Sequence, residues 1–221
     1  MPPRQIVILG GVGSGVMVAE AIKASAAAGA ACELLGFLND ALPAQTSLAG
    51  YPVLGPFERW RDCGPEVGFI SAIPNAKQAF IRHQRVLSLG VPDDRWTSVI
   101  HPTACIATDA VIGGGSFVGP FVVVEPGVVA GSHVCLRGHS YISHDVRLGN
   151  FVFVGSQATV LGRVVVEDGA FVGAGAVCRE DGSVGRFAVV GAGAVVLNPV
   201  PDFAIVAGNP AQQIGTTATV A

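Results

Sequence analysis

Residues 146–172 read VRLGNFVFVGSQATVLGRVVVEDGAFV, and every sixth residue of this stretch, counted from Leu148, is aliphatic. The same phase extends in both directions, so that fifteen of the seventeen positions spaced six apart from Ile100 to Val196 hold Ile, Leu or Val. A period of six predicts a solenoid in which each repeat adds one short strand and one turn, with the aliphatic side chains stacked inside. Residues 98–200 are therefore predicted to form a left-handed parallel β-helix of hexapeptide repeats.

Three repeats per coil give between five and six coils, and residues 18 apart then lie on the same face at successive levels, about 4.8 Å apart. One such column holds three glycines, each followed by a small residue: Gly155–Ser156, Gly173–Ala174 and Gly191–Ala192. A column of small residues predicts a groove, which would suit the narrow pantetheine arm of coenzyme A. The alternative interpretation is that these glycines supply the positive φ angles that turns often need.

Residues 1–97 are predicted to form a small, Rossmann-like α/β domain. Apolar runs predict strands at residues 5–9, 32–38 and 67–73, and helices are predicted at 16–28 and at 75–89, where Asn75 would be the N-cap. This alternation indicates a parallel sheet. Residues 201–221 are predicted to be a C-terminal tail or loop.

The first predicted strand ends in a glycine turn in which Gly11, Gly13 and Ser14 are candidate contacts for the anionic part of a substrate, because backbone N–H groups can approach an anion there. The full dinucleotide fingerprint is missing, which disfavours a redox Rossmann enzyme, and a tight turn without a ligand is an equally good interpretation. Asn39 and Asp40 follow the second strand, where they are predicted either to contact a ribose or base or to form a turn.

The most polar coil of the repeat runs from Leu136 to Asp145 and contains His139 and His144. His144 occupies a turn position at which aliphatic residues do not occur, and a neutral imidazole there is suited to general base catalysis; an idle, exposed histidine is the alternative. Asp145 is predicted to orient the ring or to favour its protonated form, or only to face solvent. Gly162 lies one coil above His144, where its N–H would stabilise a developing oxyanion.

The histidine pair also fits a different class of protein, the β-helical zinc hydratases of the carbonic-anhydrase type. These use a third histidine about two coils earlier, and Thr103 occupies that place here. The ligand count therefore disfavours zinc, and the sequence predicts no metal site.

Composition narrows the choice of partners. The net charge is −3 and the basic residues form no stripe, which argues against binding to nucleic acid or to a membrane surface. The first residues lead directly into a strand and lack the pattern of a signal peptide, so a cytoplasmic location is expected. The five dispersed cysteines are interpreted as buried thiols.

Five segments together resemble the bacterial sugar acyltransferases of the sialic-acid O-acetyltransferase and nucleotide-amino-sugar N-acetyltransferase type. The resemblance covers nearly the whole chain. Its most specific parts are the hexapeptide repeats and the triplet Ser143-His144-Asp145. The segments are the glycine turn, Phe37–Asp40, Ile100–Ala104 at the start of the β-helix, Ser143–Asp145, and Gly208–Ala211.

This resemblance implies a homotrimer that binds acetyl-CoA in the groove between neighbouring β-helices and the acceptor sugar near the N-terminal domain. It implies that His144 is the base, that Asp145 supports it, that the amide of Gly162 meets the acetyl group, and that Pro210 contacts the coenzyme.

The chain departs from the family pattern at three places. Ser14 stands where nucleotide-sugar members usually have histidine, Arg137 stands where they tend to have asparagine, and Gln212 follows the Pro-Ala pair in place of lysine. Arg137 in the site would suit a carboxylate or phosphate on the acceptor, and His139 is grouped with it as a predicted substrate contact.

The sequence therefore predicts an acetyl-CoA-dependent acetyltransferase that acts on an amino or hydroxyl group of a sugar, free or nucleotide-linked, by direct attack with a histidine general base. The alternatives are the zinc hydratase and a non-catalytic ligand-binding scaffold. The sequence does not choose between N- and O-acetylation.

Overall fold

The N-terminal part of the chain forms a five-stranded sheet. The computed structural model describes residues 2–73 and 79–217. The sheet order is β3-β4-β2-β1-β5, and all neighbours are parallel except β3 and β4. Three strands lie where the apolar runs predicted them. The strands are β1 (Arg4–Gly10), β2 (Cys32–Leu38), β3 (Ser47–Leu48), β4 (Tyr51–Gly55) and β5 (Gly68–Ala72).

Two α-helices flank this sheet, α1 (Ser14–Ala27) and α2 (Ala79–Ser88), together with 3-10 helices at Phe57–Asp62 and Asp93–Arg95. The first helix begins directly after Gly13, whose φ of 80° is accessible to glycine at little cost. The predicted cap Asn75 lies outside the described residues.

The hexads form a three-sided solenoid of two-residue strands, as predicted, and each hexad position is the second residue of a strand. Face one is built from β6 (Val99–Ile100), β9 (Phe117–Val118), β12 (Cys135–Leu136), β15 (Phe153–Val154), β18 (Phe171–Val172) and β21 (Val189–Val190). Face two is built from β7 (Cys105–Ile106), β10 (Val123–Val124), β13 (Tyr141–Ile142), β16 (Thr159–Val160), β19 (Val177–Cys178) and β22 (Val195–Val196). Face three is built from β8 (Val111–Ile112), β11 (Val129–Ala130), β14 (Arg147–Leu148), β17 (Val165–Val166) and β20 (Ser183–Val184).

The turns between these strands define three corners. The first corner joins face one to face two and includes residues 137–140 and 155–158. The second corner joins face two to face three and includes residues 143–146 and 161–164. The third corner joins face three to the next strand of face one.

Aliphatic ladders fill the solenoid. The second residues of the strands from Val118 to Val196 are at most 3% exposed, because each is covered by the coils above and below. Ile100 is 41% exposed because it belongs to the first coil, which is covered on one side only. Burial of these ladders is the main source of hydrophobic stabilisation in this part of the molecule.

Each turn of the solenoid has one residue in the left-handed backbone conformation, with positive φ. Every sixth residue from Gly115 to Gly193 has a φ between 52° and 74°, and His139 and Asp145 are among them. Gly155, Gly173 and Gly191 lie two residues before such positions and do not have positive φ themselves. The interpretation that these three glycines supply positive φ is therefore wrong.

Close stacking of the coils explains two of these glycines instead. A Cβ on Gly155 would lie 2.5 Å from the backbone nitrogen of Ala174, and one on Gly173 would lie 2.6 Å from that of Ala192. These distances are far below van der Waals contact, so glycine lets successive coils approach each other at the first corner.

The sequence predicted a tail or loop for the C-terminal segment, and this prediction is wrong. The segment carries two strands, β23 (Ala204–Ala207) and β24 (Gln212–Thr216). The strand β23 pairs with β21, with Val190 opposite Val206, and β24 pairs antiparallel to β23. They extend face one to eight strands.

The five cysteines are free thiols, but their prediction as buried residues is only partly right. Cys178 is buried inside the solenoid, and burial raises the pKa of its thiol to about 12. Cys32, Cys63 and Cys135 are half-buried, and Cys105 is exposed because it points outward from the first coils of face two. Among the described residues, no helix combines the length and the apolar character needed to span a membrane.

Candidate functional site

His144 lies at the second corner, where the turn after β13 directs its side chain away from the core. The side chain is 42% exposed. Its Nδ1 lies 2.9 Å from Oδ2 of Asp145, and its Nε2 lies 3.9 Å from Oε1 of Glu180 two coils above. An ionised carboxylate only accepts hydrogen bonds, so pairing with Asp145 places the proton on Nδ1 and leaves Nε2 as the basic nitrogen.

Gly162 lies directly above the imidazole, at the place that the 18-residue spacing indicated. A Cβ on Gly162 would lie 2.6 Å from Nε2 of His144. Within residues 2–73 and 79–217 the N–H of Gly162 has no hydrogen-bond acceptor. The structure thus brings His144, Asp145 and Gly162 together, with Nε2 of His144 beside a buried glycine whose N–H has no acceptor among the described residues.

Glu125 holds the turn that carries His144, and sequence reasoning missed it. Its carboxylate accepts hydrogen bonds from the hydroxyls of Tyr141 and Ser143 and from the backbone N–H of His144, the last at 2.9 Å. These bonds, that of Tyr141 first, lower the pKa of Glu125, and the same bond raises the pKa of Tyr141. The sequence signal that could have indicated Glu125 is its position 18 residues before Ser143, because residues 18 apart lie at successive levels of the same face.

An ion cluster covers the upper side of the site. Arg163 donates to both oxygens of Asp181, at 2.7 and 2.9 Å, and to Glu180 at 3.1 Å. The guanidinium lowers the pKa of the Asp181 carboxyl, and the carboxylates raise the pKa of Arg163. Glu180 is thereby kept near Nε2 of His144 by Arg163.

Arg137 and His139 lie on the first corner, beside a cavity of about 420 Å³ between this corner and α1. Nη2 of Arg137 lies 2.8 Å from Sδ of Met17 in α1, and none of the ion pairs among the described residues involves Arg137. The ring of His139 stacks on Phe121. Ser156, a predicted coenzyme contact, also lines this cavity.

The two halves of the predicted site therefore lie on different corners of one chain. Face two separates the first corner, with Gly155, Gly173 and Gly191, from the second corner, with His144. The structure does not bring the glycine column and the histidine together within a single chain. The residue after each glycine of this column has a small, exposed side chain: Ser156, Ala174 and Ala192.

The glycine turn lies at the start of α1, and its predicted contacts are partly engaged in the fold. Asn39 donates from Nδ2 to the carbonyl of Gly10 and accepts the N–H groups of two residues that follow it. A Cβ on Gly11 would lie 2.4 Å from that Nδ2, so the glycine makes room for the amide. Asn39 thus has the turn-forming role that the sequence left open.

Asp40 is also engaged. It accepts the N–H of Phe57 at 2.7 Å and pairs with Arg85 of α2. Gly13 and Ser14 form the N-terminus of α1, which has no side-chain cap. Val16 and Met17 of its first turn line the cavity beside Arg137, so this end of the helix faces the first corner.

Pro210 lies in the exposed turn between β23 and β24, next to face two. Val195 donates to the carbonyl of Gly208, and Ala211 donates to the carbonyl of Val195. Pro210 therefore lies near Val195 of face two, at the C-terminal end of the solenoid.

In the part of the chain that the structure describes, no three or more His, Cys, Asp or Glu side chains are grouped to hold a metal ion. His139 and His144, the pair on which the zinc alternative depended, lie on different corners.

Solved structures show the same architecture over nearly the whole chain. The acetyltransferase domain of PglB from Neisseria gonorrhoeae is 30% identical, with a TM-score of 0.83, and the match covers 96% of this chain and 100% of that domain. The chain therefore belongs to the hexapeptide-repeat sugar acyltransferases. The same gonococcal domain has been solved in complex with acetyl coenzyme A.

Other members of the sugar acyltransferases are similar as well. PerB from Caulobacter crescentus, solved in complex with CoA and GDP-perosamine, is 26% identical with a TM-score of 0.83, over 96% of this chain and 97% of that one. The GDP-perosamine N-acetyltransferase of Escherichia coli O157:H7 is 32% identical over 127 residues, which are 55% of this chain and 58% of that enzyme. The chain thus matches about half the length of its curated relatives. No family model matches the sequence.

Proposed function

We propose that this protein transfers the acetyl group of acetyl-CoA to an amino or hydroxyl group of a sugar, including sugars linked to a nucleotide. The observation that carries the proposal is the close approach of Nε2 of His144 to Gly162. The N–H of this glycine has no acceptor among the described residues. Relatives that bind acetyl-CoA, or CoA and GDP-perosamine, support the same reaction class.

His144 acts as the general base in this proposal. Nε2 takes the proton from the acceptor amine or hydroxyl as its nitrogen or oxygen attacks the thioester carbon, and the carboxylate of Asp145 stabilises the imidazolium that forms. The N–H of Gly162 donates to the oxyanion of the tetrahedral intermediate. Collapse of the intermediate breaks the C–S bond, and the proton passes from the imidazolium to the departing thiolate. No covalent enzyme intermediate is needed.

The acceptor is proposed to bind in the cavity between α1 and the first corner. Arg137 and His139 line it, and Arg137 has no carboxylate partner among the described residues. A guanidinium in such a place suits a phosphate or carboxylate of the acceptor. Gly11, Gly13 and Ser14, at the N-terminal end of α1, are the proposed contacts for the remainder of a nucleotide-linked sugar, and Asn39 and Asp40 hold the backbone behind them.

The coenzyme is proposed to lie along the glycine column, against Gly155, Ser156, Gly173, Ala174, Gly191 and Ala192, with Pro210 at its far end. Because this column and His144 lie on different corners, a site that uses both requires two chains. A head-to-tail ring, in which the first corner of one copy meets the second corner of the next, supplies this arrangement three times in a homotrimer.

Replacement of His144 tests the proposal. His144→Ala and His144→Asn are expected to lower kcat at saturating acetyl-CoA by about 100-fold or more, since general base catalysis contributes 10²- to 10⁴-fold. The assay measures release of free CoA with GDP-perosamine and a panel of other amino and hydroxyl sugars.

The matched control is Arg186→Ala, which removes an exposed side chain of the third corner that pairs with Asp202. Its kcat is expected to equal that of the wild type. Wild-type turnover by His144→Ala would overturn the catalytic role. Absence of acetyl-CoA binding in calorimetry would instead identify a non-catalytic scaffold.

A further inference from the structure

Three carboxylates lie around His144, and two of them are close to the nitrogens of its ring. Asp145 contacts Nδ1 and Glu180 approaches Nε2, whereas Glu125 contacts the backbone beneath the side chain. Glu125 belongs to the preceding coil, directly below Ser143. We propose that Glu125 is a positioning residue that fixes the turn carrying His144 at the distance from Gly162 that acetyl transfer needs. This inference rests on the proposed function.

The geometry of the carboxylate supports this role. One oxygen accepts the hydroxyl of Tyr141, and the other accepts both the hydroxyl of Ser143, at 2.8 Å, and the N–H of His144, at 2.9 Å. These three donors belong to the last strand before the turn and to the turn itself. Hydrogen bonds to an ionised acceptor are shorter and stronger than those between neutral groups, so the carboxylate ties the end of the strand to the turn that follows it.

The turn also has backbone hydrogen bonds to the next coil, from Ser143 to Val160 and from Arg163 to His144, and Glu125 adds the bond to the N–H of His144. Asp145 has a φ of 59°, a left-handed conformation that costs a non-glycine residue energy. The backbone N–H of Asp145 bonds to the carbonyl of Pro126, so two neighbouring residues of the preceding coil, Glu125 and Pro126, accept the N–H groups of His144 and Asp145. The side chain of His144 itself is 42% exposed.

Small displacements matter at this place. A Cβ on Gly162 would lie 2.6 Å from Nε2, which shows that the imidazole is seated against the backbone of the next coil. A shift of about 1 Å between a catalytic group and the reacting atoms can lower a rate about 100-fold. Loss of Glu125 is therefore expected to affect the chemical step more than the binding of acetyl-CoA.

Two variants and a control test the proposal. Glu125→Gln keeps the size and one acceptor oxygen, and Glu125→Ala removes all three hydrogen bonds. We expect kcat to fall by about 10-fold in the first and about 100-fold in the second, with the KM for acetyl-CoA unchanged within about twofold. Asp168→Asn is the matched control, because Asp168 accepts the N–H of Asn150 at the third corner, away from His144. Its kcat is expected to be that of the wild type.

A crystal structure of Glu125→Ala supplies a readout that does not depend on activity. The expected result is a displacement of Nε2 of His144 relative to Gly162 of about 1 Å or more, with the coils elsewhere unchanged. An undisplaced imidazole with wild-type kcat overturns the positioning role. Because His144→Ala is assayed in parallel, wild-type turnover by that variant overturns the proposed function, while the displacement still decides whether Glu125 positions the histidine.

Discussion

At Gly162, a hydrogen atom occupies the place where any other residue would put a carbon 2.6 Å from Nε2 of His144. Gly162→Ala must therefore displace the imidazole or the backbone that would bind the oxyanion. We expect a fall in kcat of about 100-fold with a small change in melting temperature, because the ring is half-exposed and has room to move outward. Steady-state assays and thermal unfolding measure the two effects.

Gly114→Ala is the control for this substitution. Gly114 lies at the third corner, where a Cβ would come no closer than 3.1 Å to the carbonyl oxygen of Trp96, so a small adjustment accommodates it. Its kcat is expected to match that of the wild type. If both alanine variants lost activity equally, the loss would reflect the stability of the coils and not the space beside His144.

The sequence located His144, Asp145 and Gly162 correctly relative to one another, because stacked coils convert a spacing of 18 residues into proximity. The same rule places Glu125 below Ser143, but the sequence does not show that one carboxylate collects three donors, since this depends on side-chain rotamers. For Asn39 and Asp40 the sequence left two interpretations, and the structure shows both side chains bonded within the fold.

At the scale of the elements, the glycines of the first corner determine how closely the coils stack. A Cβ on Gly173 would lie 2.6 Å from the backbone nitrogen of Ala192, whereas one on Gly191 would lie 3.1 Å from the Cβ of Ala207. Backbone that is bonded to coils on both sides cannot yield easily. Gly173→Ala is therefore expected to destabilise the solenoid by about 1–3 kcal/mol, the usual range for overpacking.

Gly191→Ala is the matched control, because it lies in the same column but near the end of the solenoid and against a side chain. Its loss of stability, measured by urea unfolding, is expected to be clearly smaller. Equal losses in the two variants would contradict the stacking explanation and would favour a general effect of alanine at these turns.

The elements show why some parts of the fold were predictable and others were not. The repeat placed every solenoid strand because one side-chain position in six must point inward. The strand β4 was missed because it contains Pro52, which usually argues against a strand but here pairs with the two-residue β3 at the edge of the sheet. The strand β23 was missed because Val190 pairs with Val206, 16 residues later, which breaks the spacing of 18.

At the scale of the whole molecule, face two sets the main constraint on function. It separates the exposed small residues of the first corner from His144 on the second, so one chain does not present both to one ligand. The sequence placed both groups on the β-helix, and assignment of residues to corners shows that they belong to opposite edges of one face. The proposed head-to-tail ring would bring the first corner of one copy to the second corner of the next.

Mixing two inactive variants tests whether neighbouring chains share a site. His144→Ala removes the base from the second corner, and Ser156→Trp places a bulky side chain on the exposed path along the first corner. If each site combines the first corner of one chain with the second corner of the next, mixed assemblies contain some sites with both halves intact. Co-expression or refolding of the two variants together is then expected to restore release of CoA, whereas the separate variants remain inactive.

A mixture of His144→Ala with Gly162→Ala is the control, because both changes lie on the second corner and fall within the same half of the site. Recovery in the first mixture alone would establish a shared site, and its failure, with assemblies of mixed composition verified by mass spectrometry, would place the whole reaction within one chain.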